Sequence, residues 1–395
     1  MKLLFVVSSL DLTQPFSATP AWWQLLKGLY EEGVDVLATT YQGPAIESLW
    51  WRALPNPVQR EGDLFKALRD VARRTQPTSP TKKANSPSSN ESMADRLQRQ
   101  IAQKVIAPRW RAFMDRTLAA HPDIDAVIFL TIPLNHVVGL ASYIRTKFDK
   151  PVLYYDGDVP ASLPSFAGFA SGFKIYQGAD LTEYTAFISN SAGGVDPLRE
   201  LGARAVHVLY YGADPDVFSP LDITQDIDVF FYGHTREYRE DWIDGMIGYA
   251  SQQLPESAFA VRGSQLGEIG RAKLLPYLSF SKLREYACRS KINLCVTRKA
   301  HTSVFASSSS RPFELASMGA CIVSNPYLGI ETWFEPGKEI IVIQDRDEAV
   351  DRYRWLLNHA SERHAIGAAA RQRVLQEHTF RHRACQLVEI VQEYV

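Results

Sequence analysis

The sequence contains little cysteine and no long hydrophobic run. Four of its 395 residues are cysteines, and all lie in the last third of the chain without CxxC or zinc-like spacing: Cys288, Cys295, Cys321 and Cys385. This pattern disfavours a disulfide framework and a structural zinc site, and it predicts buried thiols in a reducing compartment. The apolar start at residues 3–7 is too short for a signal peptide, and no apolar run approaches the length of a membrane span. We therefore expect a cytoplasmic protein.

The chain also lacks an excess of charge of either sign. Its formal net charge is −1 at pH 7, which disfavours bulk attraction to nucleic acid, so no nucleic-acid partner is expected. With 46% hydrophobic residues, a chain of 395 residues is long enough to fold into two globular domains.

What the sequence does contain is a regular alternation of predicted strands and helices. Residues 3–7 are a continuous apolar run, residues 21–32 predict a helix that Gly33 closes, and residues 34–38 predict the next strand. This βαβ opening indicates an α/β fold with a doubly wound parallel sheet. A turn-rich connector at residues 211–220 precedes a second α/β series that starts at residue 228. The predicted domains are therefore residues 1–218 and 219–378, followed by a C-terminal helix at 379–395.

Two segments of the first domain stand apart from this alternation. Residues 76–92 are rich in Pro, Ser and Asn without periodicity, and they predict a flexible surface excursion. Residues 93–119 predict a long helix with several basic side chains, and the same half of the chain contains five tryptophans: Trp22, Trp23, Trp50, Trp51 and Trp110. A basic and aromatic face that contacts an anionic membrane is one interpretation. The pattern favours the other, a solvated helix face with tryptophans in the core.

Polar residues follow several predicted strands of the first domain. They include His136, Asp156, Asp158 and Ser191. Because ligands of α/β proteins bind at the carboxyl ends of parallel strands, we expect the acceptor substrate at this edge, with His136 or Asp156 as a candidate catalytic base. The Asp156–Gly157–Asp158 triplet also fits a site for a divalent ion on a sugar diphosphate. A tight turn is the favoured interpretation of the triplet, and no metal site is predicted.

The stretch at residues 307–324 predicts an anion site in the second domain. Serines precede a short helix with Pro312 in its first turn, and the helix ends at Gly319 before a buried strand. Free N–H groups at such a helix start bind phosphate, here at Ser309 and Ser310, and Arg311 adds a cation. Glu314, one turn inside, either accepts hydrogen bonds from sugar hydroxyls or only complements the helix dipole.

Two basic loops at the ends of other strands in this domain strengthen the diphosphate hypothesis. The first begins at Gly233 and His234 and continues to Arg236 and Arg239, and the second contains Arg298. Glycine lets a ligand approach the backbone, and arginines bind phosphate oxygens. We therefore expect these residues and the helix start to surround one diphosphate.

Residues 185–390 resemble the glycosyltransferase group 1 superfamily of GT-B fold, especially its spore-maturation-protein-like branch. The motifs that carry the resemblance are Gly-x-Asp-Pro-x-x-Phe-x-Pro at 212–220, the strand and glycine loop at 230–236, Arg-x-Phe-Glu-x-x-x-x-Gly at 311–319, and the segments at 329–339 and 371–383. The first half is similar only to a generic Rossmann-like domain. The closing helix of the family usually returns to the first domain.

The resemblance implies a nucleotide-diphosphate-sugar donor on the second domain and an acceptor on the first. It implies that Glu314 holds the ribose hydroxyls and that backbone amides near Ser309 and Ser310 meet the distal phosphate. Arg236 and Arg239, or Arg298 in place of either, would neutralise the diphosphate. The sequence departs from the family at Ala306, where a second, sugar-contacting glutamate is usual. This departure leaves the stereochemistry of transfer open.

We therefore predict a metal-independent hexosyltransferase without a cofactor, which moves sugar from the nucleotide donor to a cell-envelope, glycan, lipid-linked or small-molecule acceptor. Peripheral contact with the inner membrane face stays an open alternative. Two other functions on the same fold are a sugar-nucleotide epimerase and a non-catalytic scaffold that binds nucleotide or glycan.

Overall fold

A computed structural model of the chain describes residues 1–8, 20–62, 96, 99–164, 175–234, 238–276 and 280–395. The predicted excursion at 76–92, the start of the predicted helix at 93–95 and Arg236 lie outside these residues. No helix within the described ranges is both long enough and apolar enough to cross a membrane.

The first unit is built on a parallel sheet of seven strands in the order β3-β2-β1-β4-β5-β6-β7. The strands are β1 (Lys2–Val7), β2 (Asp35–Thr40), β3 (Arg52–Ala53), β4 (Ala126–Leu130), β5 (Val152–Asp156), β6 (Ala186–Ser189) and β7 (Val206–Val208). Alternate residues of β1 enter two different apolar clusters, with Leu4 and Val6 in one and Leu3 and Phe5 in the other. Both faces of the sheet are therefore covered, which explains why its central strands are continuous apolar runs.

Helices of the first unit cover these two faces. They are α1 (Ala21–Glu31), a π-helical turn (Ala102–Ile106) that continues into α2 (Ala107–Ala120), α3 (Leu140–Phe148) and α4 (Val195–Glu200), with 3-10 turns at Leu134–His136, Leu181–Glu183 and Ala192–Gly194. Trp22, Trp51 and Trp110 are buried in the apolar clusters, in agreement with the core interpretation of these tryptophans. Gly33 follows α1 with a φ of 78°, a conformation that glycine adopts readily.

The second unit is built on a parallel sheet of six strands in the order β10-β9-β8-β11-β12-β13. The strands are β8 (Ile227–His234), β9 (Phe259–Ser264), β10 (Lys273–Leu274), β11 (Ser290–Cys295), β12 (Ile322–Ser324) and β13 (Ile341–Val342). A helix that changes from α to π and back runs through α5 (Glu240–Ile243), Asp244–Tyr249 and α6 (Ala250–Gln253). The other helices are α7 (Phe280–Cys288), α8 (Lys299–Thr302), α9 (Ser310–Ser317), α10 (Arg346–Asn358) and α11 (Ala360–Glu377), with a 3-10 turn at Ile330–Thr332.

The last helix, α12 (Phe380–Gln392), lies on the first unit. Its apolar side chains Phe380, Ala384, Leu387 and Val391 belong to the same buried cluster as Leu3 and Phe5 of β1. The helix begins with a capping box in which Thr379 and His382 satisfy each other's backbone and side-chain groups. The chain therefore passes between the two units twice, once near residue 214 and once near residue 379.

The cysteines are all free thiols. Cys295 and Cys321 are buried, as the sequence predicts, whereas Cys288 is half-buried. Cys385 is exposed on α12, so the prediction of a buried thiol is wrong at that position.

Candidate functional site

Two arginines meet at the carboxyl edge of the second sheet, beside Gly233 at the end of β8. Arg239 Nη1 and Arg311 Nη1 each donate to the backbone oxygen of Val296, at 3.1 Å in both cases. A Cβ atom placed on Gly233 would lie 3.2 Å from Arg239 Nη1 and 3.3 Å from Arg311 Nη2. The missing side chain therefore lets both guanidinium groups lie against the backbone of β8, and the approach of a ligand to this glycine stays a prediction.

Three arginines, Arg239, Arg311 and the nearby Arg298, are here called the arginine cluster, and the carboxylates near them include Asp158 beside Arg298 and Glu314 beside Arg311. Arg239 is 8% exposed, and burial together with repulsion from Arg311 and Arg298 lowers its pKa to about 9. Burial, Arg298 and Arg239 also lower the pKa of His301 to about 3. A buried group of like charges is stable only when an anion or a hydrogen-bond acceptor approaches it.

Several buried polar atoms around this edge are without a partner. Among the described residues, nothing accepts a hydrogen bond from Nε of Arg239 or Nε of Arg311, and the Nδ1 atom of His301 is also unpaired. Buried polar groups are nearly always satisfied in native proteins. Their concentration in one place indicates a ligand with several acceptor oxygens, such as a diphosphate.

Helix α9 starts at the same edge. Ser309 stands at its N-cap in extended conformation, and no side chain caps the helix. Since the first N–H groups of a helix have no acceptor within it, the N-terminus is open to an anion at the predicted positions Ser309 and Ser310, both half-buried. Arg311 follows directly, and its guanidinium also stacks 5.0 Å from the ring centre of Tyr232.

The serines before this helix fasten it to the first unit. Ser308 Oγ donates to the backbone oxygen of Asn190 at 2.8 Å and accepts from the backbone N–H of Tyr211 at 3.0 Å. Ser307 Oγ donates to the backbone oxygen of Val159 at 2.9 Å. The start of α9 is therefore held where the two units meet. Ala306, just before, is fully buried in an apolar cluster, so position 306 supplies no polar group to the site.

Glu314 lies one turn inside α9 and is 2% exposed. Its Oε2 atom accepts from the hydroxyl of Tyr232 at 3.2 Å, while Oε1 has no partner among the described residues. Burial raises its pKa to about 7, although Arg311, Tyr232 and Gln24 act in the opposite direction. A half-satisfied carboxyl at this place is suited to accept hydrogen bonds from a ligand.

The first unit contributes a cavity of about 410 Å³ at the carboxyl ends of its strands. Residues that follow β1, β2, β4 and β5 line it, together with α1 and Phe380 of α12. Its described lining includes Trp22, Leu25, Tyr41, Ile132 and Asp158. This is the sheet edge at which the sequence predicts the acceptor.

An ion pair joins the cavity to the arginine cluster. Arg298 Nη2 lies 3.6 Å from Asp158 Oδ1, and neither side chain is fully buried. Asp158 belongs to the cavity wall of the first unit, whereas Arg298 follows β11 of the second. The two regions are therefore adjacent and share one pair of opposite charges.

The structure corrects the prediction of Asp156 as a catalytic base. Asp156 is fully buried, accepts hydrogen bonds from the hydroxyls of Ser162 and Tyr176, and does not line the cavity. Its neighbour Asp158 does. The turn at Gly157 separates the two carboxyls, so the inward one serves the fold and the outward one faces the substrate side.

The other candidate base, His136, is placed one side chain away from the cavity. Its Nδ1 atom is hydrogen-bonded to the Tyr41 hydroxyl at 2.8 Å. Burial lowers its pKa to about 4, so the imidazole is neutral near pH 7. His136 therefore orients Tyr41 in the cavity wall.

His234 continues β8 beyond Gly233, and Arg236 lies outside the described residues.

Two residues of the site were missed at the sequence level. Tyr232 bonds Glu314, and His301 lies against the arginines. Tyr232 directly precedes Gly233 at the end of a strand, a position from which a side chain can reach the neighbouring helix. His301 lies three residues after Arg298, which is about one helical turn. The sequence contains no pattern that predicts the burial of His301.

Residues 239–389 match the family model described as glycosyl transferase-like. No curated protein matches the sequence significantly. The prediction of the spore-maturation branch stays a prediction.

Solved structures with the same fold cover the whole chain. Sucrose-phosphate synthase from Thermosynechococcus elongatus is 12% identical with a TM-score of 0.63, over 99% of this chain and 98% of that one. The trehalose-6-phosphate synthase OtsA is 13% identical with a TM-score of 0.63, and HepE from Anabaena in complex with UDP-glucose is 12% identical with a TM-score of 0.61, both over 100% of each chain. The predicted GT-B fold is confirmed. The chain thus has the two-unit GT-B fold, and residues 239–389 of its second unit are similar to the glycosyl transferase-like family model.

Proposed function

We propose that the protein transfers a hexose-type sugar from a nucleotide-diphosphate donor to a hydroxyl of an acceptor held in the cavity of the first unit. The observation that carries the proposal is the contact between Arg298 and Asp158. It connects the arginine cluster, in which Arg239 is buried and which is suited to a diphosphate, with a cavity that has a carboxylate in its wall.

The donor diphosphate would lie against the arginine cluster and the start of α9. Arg239 and Arg311 approach the same backbone oxygen and have unpaired Nε atoms, so phosphate oxygens would satisfy donors that the protein leaves without a partner. The ribose hydroxyls would donate to Glu314, whose Oε1 is unpaired. The HepE structures carry UDP and UDP-glucose, so uridine nucleotides are the first to test.

In the transfer step the bond between the anomeric carbon and the diphosphate oxygen breaks, and its electron pair leaves with the diphosphate. The acceptor oxygen bonds to the anomeric carbon, and its proton passes to Asp158. The arginine cluster and the helix N–H groups stabilise the charge that develops on the leaving group. Fixed cations of this kind fill the role that a divalent ion has in other transferases, and we propose that transfer is independent of metal.

Thermal-shift measurements with UDP, GDP, ADP, dTDP and CMP test the donor site. A nucleotide that binds the folded state raises the melting temperature. We expect one diphosphate to do so, with the shift reduced in Arg239→Gln and Arg311→Gln. The exposed Arg354, paired with Asp351 on α10, provides the control Arg354→Gln, in which the shift should be unchanged.

The arginine variants are suitable because they relieve repulsion in the protein without ligand, so a smaller shift reports lost binding rather than unfolding. No shift with any diphosphate, or equal shifts in all variants, would refute the donor site. Sugar release measured with and without EDTA tests metal independence separately. Conversion of the donor to an isomer without any acceptor would instead indicate an epimerase.

A further inference from the structure

The cavity of the first unit has polar groups in its wall, but the protein itself uses most of them. The hydroxyl of Tyr155 donates to the backbone oxygen of Leu209 at 3.0 Å, and that of Tyr211 donates to the backbone oxygen of Gly157. The Tyr41 hydroxyl is bonded to His136. The three tyrosines therefore present ring surface rather than free hydroxyls.

Thr131 in the same wall is likewise satisfied. Its Oγ1 atom accepts from the backbone N–H of Gly157 at 3.0 Å and donates to the backbone oxygen of Tyr155 at 3.4 Å. The remaining polar side chains of the described wall are Asp158, Ser8 and Gln42, and Gln42 is exposed to solvent. A sugar ring has hydroxyls around its whole circumference, and the side chains of the described wall would leave most of them without partners.

The rest of the wall is apolar, and Trp22 and Phe380 bring the aromatic side chains of the described wall, with the three tyrosines, to five. Trp22, Leu25, Leu130, Ile132 and Phe380 are each at most 5% exposed, so they form a fixed surface. A volume of about 410 Å³ falls within the range of pockets that hold one small molecule. Flat aromatic walls favour a ring system over a flexible chain, because rings stack on rings and lose little conformational freedom on binding.

From these contacts we propose that the acceptor is a small compound with an apolar, ring-based body and a hydroxyl that reaches Asp158. This inference rests on the proposed transferase function and assigns the acceptor class within it. The ring body packs between Trp22 and Phe380, and the hydroxyl donates to the one carboxylate of the described cavity wall. Asp158 also contacts Arg298, so that hydroxyl lies beside the donor site.

The probe for this site is 2-naphthol, which combines an apolar ring body with one hydroxyl, and methyl glucoside is the sugar control. Ala21 lines the cavity and is only half-buried, so Ala21→Phe fills the cavity from its edge without replacing a core residue. Ala365, exposed on α11, gives the matched control Ala365→Phe. Binding is measured by calorimetry, and the UDP thermal shift is recorded for each variant.

We expect 2-naphthol to bind the wild-type protein and Ala365→Phe, and to bind Ala21→Phe about tenfold more weakly or worse. Methyl glucoside should not compete. Equal 2-naphthol binding in both variants, no binding to the wild type, or displacement by methyl glucoside would overturn the acceptor class. The UDP-induced rise in melting temperature separates the two proposals. If it persists in Ala21→Phe, the donor site is intact, and the 2-naphthol result tests the acceptor assignment alone. If no nucleotide binds while the cavity binds 2-naphthol, the transferase proposal fails instead.

Discussion

Replacing Glu314 by glutamine should stabilise the free protein and weaken nucleotide binding. The carboxyl is 2% exposed and has one unpaired oxygen, and burial raises its pKa from an ordinary value of 4.5 to about 7. Each unit of such a difference corresponds to about 1.4 kcal/mol. Holding the ionised carboxylate in the folded protein therefore costs about 3 kcal/mol, as an order of magnitude.

The direction of the pH effect on stability depends on whether the folded or the unfolded state binds the proton of Glu314 more tightly. Because the folded pKa is the higher one, the contribution of Glu314 to stability is complete below pH 4.5 and is lost as the pH rises through about 7. Glutamine does not titrate, so the Glu314→Gln variant does not lose this stability as the pH rises. The free energy of unfolding of the variant, relative to wild type, should rise by up to about 3 kcal/mol between about pH 5 and about pH 8.

Urea unfolding at both pH values measures this difference. Glu331→Gln is a suitable control because Glu331 is exposed on a 3-10 turn, and it should show no comparable change. A Glu314→Gln variant that gains no stability relative to wild type at the higher pH would refute the account of a carboxyl strained by burial. The UDP-induced shift should also be smaller in the variant, since glutamine has one acceptor oxygen for the two ribose hydroxyls.

Two further substitutions test other parts of the structure. Asp158→Asn should lower kcat for sugar transfer roughly 100- to 10,000-fold, the usual contribution of a general base, with nucleotide binding retained; a kcat close to wild type would exclude Asp158 as the base. Gly28→Ala should lower the melting temperature, by the equivalent of about 1–3 kcal/mol, because the added Cβ would lie 2.6 Å from the backbone oxygen of Phe380. Gly62→Ala, where a Cβ meets nothing within 4 Å, should be nearly neutral by comparison, and equal effects would contradict the steric reason.

The sequence was sufficient to predict the fold because its strongest signals are local. Buried parallel strands are continuous apolar runs, and the loops after them hold the ligand-facing residues, so Gly233, Arg239, Arg298, Arg311 and Glu314 could be assigned to one sheet edge before any coordinates were known. The structure brings these residues together. The physical reason is that the carboxyl ends of parallel strands always share an edge.

Two kinds of feature could not be predicted from the sequence. They are the backbone conformation of individual turns and the contacts between residues distant in the chain. Asp156 and Asp158 differ only in how the chain turns at Gly157, which decides which carboxyl enters the core. His301 and Tyr232 acquire their roles from burial beside residues far away in the chain. The hydroxyls of the cavity tyrosines are likewise hydrogen-bonded to residues distant in the chain, such as Leu209 and His136. No local sequence pattern reveals these hydrogen bonds.

The return of α12 to the first unit also bears on how the chain matures during synthesis. Phe380, Leu387 and Val391 complete the buried cluster that surrounds Leu3 and Phe5 and already includes Leu25 of α1, so part of one face of the first sheet stays uncovered until residues 380–391 have left the ribosome. The second unit has its own two apolar clusters, and their buried and packed members come from residues 227–374, apart from six that precede this range: Ala192, Tyr210, Tyr211, Ala213, Val217 and Phe218. The unit translated second can therefore complete its core first, while the unit translated first must wait, exposing apolar surface that a chaperone could recognise.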